Sequence, residues 1–143
     1  HTHLYPEQAD RYGPGLISLL EFGRAVKADE YAHLQNMRDQ FRSELDALFT
    51  QVDVLLAPAM PCAVPSAAQM DTGSLDPGSA PFLSFTAPFD YSGHPTLNIP
   101  AGIDANGLPQ SLQLIAGRFN ESGLLTAGAM FERVLGRLDY PMP

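Results

Sequence analysis

Tyr31, Leu34, Met37, Phe41, Leu45 and Leu48 recur at intervals of three and four, and this spacing predicts one long amphipathic helix. Asp29 and Glu30 stand where the positive end of that helix favours carboxylates. Upstream, Gly13-Pro14-Gly15 opens an apolar run from Leu16 to Phe22 that Gly23 closes, a shorter helix with proline in its first turn and glycine as its stop. Downstream the period changes. Val54-Leu55-Leu56-Ala57 is continuously apolar and ends at Pro58, the pattern of a strand buried on both faces. Thr96–Pro100 reads as a second short strand, and Ser111–Ala116 alternates as a half-buried strand does. Asp104-Ala105-Asn106-Gly107 between them carries turn chemistry, so these two strands are predicted to form a hairpin. Asn120 is placed to cap a last helix with Leu124, Phe131, Leu135 and Leu138 on its inner face.

Between the first strand and the hairpin the pattern breaks down. From Pro58 to Pro88, both included, there are six prolines, and residues 58–84 read as a long irregular loop, a length that is uncommon without a functional reason. Thr86-Ala87-Pro88-Phe89 then supplies a capping hydroxyl and a first-turn proline, with Gly93 as a stop, enough for one or two helical turns. The expected order is helix, helix, strand, long loop, short helix, hairpin, helix, an α/β chain without internal repeats. Its three short strands make a thin sheet whose edges call for partners, which points to a homo-oligomer or to further chain.

Composition sharpens this picture. The 143 residues suffice for one domain, yet only 17% are charged against an ordinary 45% hydrophobic. Soluble chains usually carry about 25% charge, so more of this surface is expected to be covered than a lone domain requires. The net charge is −8 and Lys27 is the single lysine. Without a Lys/Arg cluster there is no footprint for nucleic acid or for an anionic membrane, and no stretch approaches the ~20 apolar residues of a membrane-spanning helix. The first residues, His1 to Pro6, lack both an initiator methionine and the basic-then-apolar pattern of a signal peptide, as expected of a segment taken from a longer chain. Cys62 has no partner for an internal disulfide, which fits a reducing, cytoplasmic setting.

Candidate chemistry is sparse. There is no CxxC, HExxH or GxGxxG pattern. His1 and His3 could ligate a metal, but a chain end is more often disordered, and no metal site is assigned. His33, three residues from Asn36, reads as a solvated or helix-packing residue. His94, between Gly93 and Pro95, sits in a turn and would need a nucleophile; Cys62 is a thiol that could serve on paper, although its Pro61 and Ala63 neighbours make it read as an inert packed thiol.

The informative stretch runs from Phe85-Thr86-Ala87-Pro88-Phe89-Asp90 through Gly93-His94-Pro95 and Asn98-Ile99-Pro100-Ala101-Gly102 to Gly107-Leu108-Pro109-Gln110-Ser111-Leu112-Gln113-Leu114. It resembles the C-terminal signature of the amidase-signature family: aromatic-Thr-x-Pro-Phe-Asn, Gly-x-Pro, a strand ending in Pro-x-Gly, then Gly-Leu-Pro-x-Gly-x-Gln-Leu. Asp53-Val54-Leu55-Leu56-Ala57-Pro58 resembles the family's preceding strand, Asn120-Glu121-Ser122-Gly123-Leu124-Leu125 the start of its last helix, and Tyr5-Pro6 with Tyr12-Gly13-Pro14 fits many bacterial amidases. Asp90 stands where Asn is usual, and Ser111 where Gly is usual.

The resemblance implies that residues 1–143 are the C-terminal segment of a mixed β-sheet covered by helices, in a chain about three times as long. It implies a serine nucleophile activated by a second serine and a lysine, all in an N-terminal part not matched here. No catalytic residue is therefore carried over; Gly73-Ser74, Gly78-Ser79 and Lys27 lie in the wrong settings. What carries over is the acyl pocket: Thr86 as a hydroxyl, Phe85 and Phe89 as apolar wall, each also readable as a plain cap or core residue. In the glutamyl-tRNA amidotransferases of the family an arginine and an aspartate hold the charged ends of glutamine. Their places here fall in Ser18-Leu19-Leu20-Glu21-Phe22 and at Leu83, an apolar surface that disfavours a zwitterion. The expectation is a serine-dependent hydrolase of an uncharged or apolar carboxamide, needing neither metal nor organic cofactor. Its partners would be the N-terminal part of the parent enzyme and a small-molecule amide. The rivals are an amidotransferase-like or urea-derivative hydrolase activity, and a non-catalytic packing or oligomerisation segment.

Overall fold

The computed structural model describes residues 1, 3–66 and 80–136. A short 3-10 turn, Ala9–Arg11, leads into α1 (Pro14–Ala25) and α2 (Ala28–Leu48); β1 (Val54–Pro58) follows, then α3 (Ala80–Leu83), α4 (Ala87–Ser92), β2 (Thr96–Ile103), β3 (Pro109–Ala116) and α5 (Glu121–Leu135). Proline at the start of α1 is pre-set for a helix, as the sequence implies, but Gly23 does not end it; the helix runs on to Ala25.

The sheet has the order β1-β3-β2 and both pairings are antiparallel. The hairpin forms as expected, with strands longer than the alternation alone indicates and an irregularity between Pro100 and Gly102. Pro100 has no N–H to give, and β2 is an edge strand, where that omission is tolerated. The central strand is β3, not β1. Leu114, Ile115 and Ala116 are fully buried, whereas Leu56 of β1 is 53% exposed. The expectation that Val54–Ala57 is covered on both faces therefore fails within this chain: β1 has one neighbour and α5 packs on β2 and β3. The core joins Ile99, Leu114, Ala116 and Leu124, ringed by Val54, Leu97, Leu112, Ala127 and Phe131.

Helix α2 has the predicted length, but its stripe is mostly open. Tyr31, Leu34 and Met37 are exposed, while Phe41 and Leu45 are half-buried. The reason is that α2 packs against α4, with Phe41 facing Tyr91 at 6.5 Å between ring centres. The segment read as continuous loop over 58–84 contains α3 at its end; residues 67–79 lie outside the described residues. Asn120 occupies the capping position of α5 without a side-chain cap bond. Leu124 and Phe131 face inward as expected, Leu135 near the end of the helix is exposed instead, and Leu138 lies outside the described residues. Among the described residues no helix is long and apolar enough to cross a membrane.

Candidate active site

Phe85, Thr86 and Phe89 are all half-buried, on the short turn that opens α4. Thr86 is the residue before the helix, yet its hydroxyl does not cap it. It turns back toward the Leu83 carbonyl at 3.4 Å, a loose contact, while the Thr86 carbonyl accepts from Phe89 N at 3.1 Å and Asp90 N at 3.2 Å. The expected capping hydroxyl is thus only weakly engaged and available to another partner.

Both ends of this turn are fastened. At its start the Gln113 side-chain amide donates to the Phe85 carbonyl at 2.6 Å. Gln113 belongs to the buried strand β3 and is 1% exposed, so its amide must find partners inside the protein. At its end Gly93 takes a left-handed conformation with φ 77°, where a side chain would be strained. That bend lets two backbone N–H groups, Gly93 at 2.8 Å and His94 at 3.2 Å, converge on the Phe89 carbonyl. Two arginines of α2 complete the anchor: Arg38 Nε donates to the Tyr91 carbonyl at 2.6 Å and Arg42 Nε to the Ser92 carbonyl at 2.9 Å. Cations at the carbonyl end of a helix are electrostatically favoured. Alongside α4, Leu83, Ser84, Ala87, Pro88 and Tyr91 line a shallow apolar depression of about 440 Å³; the three candidate pocket residues are not among them.

Beneath the turn lies a polar cluster that sequence spacing does not assemble. His94 Nδ1 is 2.9 Å from Ser92 Oγ, and its Nε2 is 3.3 Å from Asp46 Oδ1, too poorly aligned to count as a hydrogen bond. Asp46 is gripped in bidentate fashion by Arg118, at 3.1 and 2.7 Å, and the His94 ring stacks on Phe49 with 5.2 Å between ring centres. Arg118 holds the Asp46 carboxyl below its ordinary range. Burial pushes the His94 imidazole down, with Arg118 and Arg42 acting in the same direction and Asp46 against it.

Serine, histidine and aspartate in this order suggest a nucleophile relay, but the geometry denies it. Ser92 is fully buried and Asp46 is committed to Arg118, so no substrate carbonyl reaches the hydroxyl. His94 is not paired with Cys62 either: its ring partners are Ser92, Asp46 and Phe49, and Cys62 is exposed rather than packed. His33 is exposed, the solvated one of its two readings, and His1 contacts the Tyr12 hydroxyl at 3.2 Å. Among the described residues no three His, Cys, Asp or Glu side chains gather as a metal ligand set. The one legible signal for the missed residues was Gln113, a polar side chain set between Leu112 and Leu114; Asp46, Ser92 and Arg118 meet only through the fold.

The sequence profile of the Amidase family matches residues 17–125. This chain belongs to the amidase family. A putative amidase, AmiD, of Mycobacterium tuberculosis (strain ATCC 25618 / H37Rv) is 37% identical over 95% of the chain, and the chain covers 29% of it. A component of the glutamyl-tRNA(Gln) amidotransferase of Novosphingobium aromaticivorans is 37% identical over 72% of the chain, which covers 20% of that protein. A crystal structure of an amidase superposes over 95% of the chain with a TM-score of 0.81 at 26% identity, the chain covering 32% of it. The chain therefore spans under a third of the length of each of these three proteins. Its α/β fold, with helices on a small sheet, is that of amidase-signature enzymes.

Proposed function

We propose that the chain is the C-terminal part of a serine-dependent amidase that hydrolyses an uncharged or apolar carboxamide. In this reading the serine, its partner serine and the lysine come from the preceding part of the parent enzyme. The substrate is cleaved through an acyl-enzyme that water then opens. The 143 residues contribute the wall of the acyl pocket and carry no nucleophile of their own. The observation that supports this assignment is the fixation of the Phe85–Phe89 turn from both sides, by Gln113 at the Phe85 carbonyl and by Gly93 and His94 at the Phe89 carbonyl. A pocket wall has to be held to a fraction of an ångström to orient a scissile bond, and this turn is held by a buried strand and a capped helix end.

The apolar preference rests on the resemblance, which sets Ser18-Leu19-Leu20-Glu21-Phe22 and Leu83 where the family's amidotransferases hold the charged ends of glutamine; Leu19 and Leu83 are both exposed. A zwitterion would lose hydration there without compensating ion pairs. In the full-length enzyme, Thr86→Val is expected to raise KM for a neutral amide, by the equivalent of about 0.5–1.5 kcal/mol, the worth of one hydrogen bond. Unchanged kinetics together with a lowered melting temperature would remove Thr86 from the pocket.

A further inference from the structure

We propose that His94 is a positioning residue for the acyl pocket, setting the orientation of Phe89 through the Ser92 hydroxyl and the Gly93 turn in a proton-dependent way. This inference rests on the pocket reading above and adds its control. The chain of contacts is short and continuous. His94 sits 3.3 Å from Asp46, its own backbone N–H bonds the Phe89 carbonyl at 3.2 Å, and Phe89 N–H bonds the Thr86 carbonyl at 3.1 Å. The imidazole thus reaches the pocket turn by two short routes, its own backbone N–H and the buried Ser92 hydroxyl.

The Ser92 hydroxyl has two acceptors within reach, and this makes the arrangement switchable. His94 Nδ1 lies at 2.9 Å and the Phe89 carbonyl at 3.3 Å. A hydroxyl has one proton to donate. With His94 neutral and its remaining proton on Nε2 toward Asp46, Nδ1 accepts from Ser92, and the Phe89 carbonyl keeps only its two backbone donors. When His94 takes up a proton, Nδ1 becomes a donor to Ser92 Oγ. The Ser92 proton must then turn to the Phe89 carbonyl, which gains a third hydrogen bond and is drawn toward the helix end. The charged groups that act on the ring are Asp46 and Arg42 from α2 and Arg118 after β3. Asp46 favours the proton; the two arginines and the burial of the ring oppose it, so protonation belongs on the acid side of the ordinary histidine midpoint.

The test uses the full-length enzyme with 4-fluorophenylalanine at position 89, read by fluorine NMR, as wild type, His94→Leu and His94→Gln. The wild-type resonance is expected to titrate below about pH 6.5, the titration is expected to vanish in both variants, and KM for a neutral amide is expected to rise about tenfold in His94→Leu with kcat little changed. His94→Gln retains a donor toward Asp46 and is expected to recover part of that KM, which keeps the test open should the leucine variant fail to fold. A resonance that ignores both pH and the substitutions, with KM unaltered and only the melting temperature lowered, overturns the proposal. A titrating resonance in an enzyme that cleaves no amide upholds the positioning of Phe89 and overturns the substrate reading instead.

Discussion

Gly128 of α5 faces Leu97 of β2 so closely that a β-carbon at position 128 would lie 2.3 Å from Leu97 Cδ2. Glycine inside a helix ordinarily costs about 1 kcal/mol relative to alanine, and here the tip of the Leu97 side chain occupies the place of a β-carbon. Leu97 is half-buried among the core residues and has to change rotamer to make room.

Gly128→Ala is therefore expected to destabilise the protein, since overpacking costs of roughly 1–3 kcal/mol outweigh or cancel the gain in helix propensity. In a Leu97→Ala background the same change is expected to stabilise. Urea unfolding of the four-member cycle measures the coupling. A Gly128→Ala protein more stable than wild type would show that Leu97 yields freely.

Much of this fold was legible in the sequence, and the failures share one cause. The stripe from Tyr31 to Leu48 and the turn at Asp104–Gly107 specify α2 and the hairpin locally, through spacing and through the Asp104 carboxylate, which accepts from Asn106 N and Leu108 N. What misled was burial. An apolar run such as Val54–Ala57 announces that something covers it, but not whether the cover is in the same chain. The short helix after Phe85 was legible because Thr86-Ala87-Pro88 and the Gly93 stop are local signals. The polar cluster beneath it was not: Asp46, His94 and Arg118 are remote in sequence, and only the fold brings them together.

Gln113→Leu is expected to leave the Phe85 carbonyl without its partner, at a cost of about 1–3 kcal/mol for a buried group left unpaired. The loss should appear in stability, because the bond joins β3 to the start of the α4 turn. Gln113→Glu should be worse, since a buried carboxylate facing a carbonyl oxygen repels it. Denaturant midpoints for the two variants decide the matter, and a glutamate variant as stable as wild type would mean that the amide does not bond there.

Acid is expected to weaken the fold in two separate windows. Burial lowers the His94 affinity for protons, so the unfolded chain binds a proton at the ordinary histidine midpoint of about 6.5 while the folded chain does not. Stability from this group is complete above that midpoint and falls as pH drops toward the folded value. Asp46, lowered by Arg118, adds a second loss that begins only below its ordinary value of 3.8, and a small one, since the pair is about one-third exposed. Melting temperatures measured from pH 7.5 downward should decline first in the histidine window, and His94→Leu should flatten that first decline. A profile that is level to pH 4 in the wild type contradicts the burial of an uncharged imidazole.

Ser92, His94 and Asp46 make an explicit prediction about activity possible, because they imitate a relay while lacking access. The 143-residue chain is expected to give only background hydrolysis with aryl and aliphatic amides. Ser92 is sealed from solvent, its hydroxyl is engaged by His94 and its main-chain carbonyl by Arg42, and Asp46 spends both oxygens on Arg118. Nothing in that cluster can approach a substrate carbonyl without unfolding the end of α4. Cys62 is accessible, but the one buried imidazole is occupied elsewhere, so the thiol has no base from His94 to activate it. Assays on the chain, on Ser92→Ala and on Cys62→Ala should be indistinguishable from one another. Turnover that survives repurification and disappears in Ser92→Ala would show that the turn opens and that the relay is real; disappearance in Cys62→Ala instead would make the exposed thiol the nucleophile.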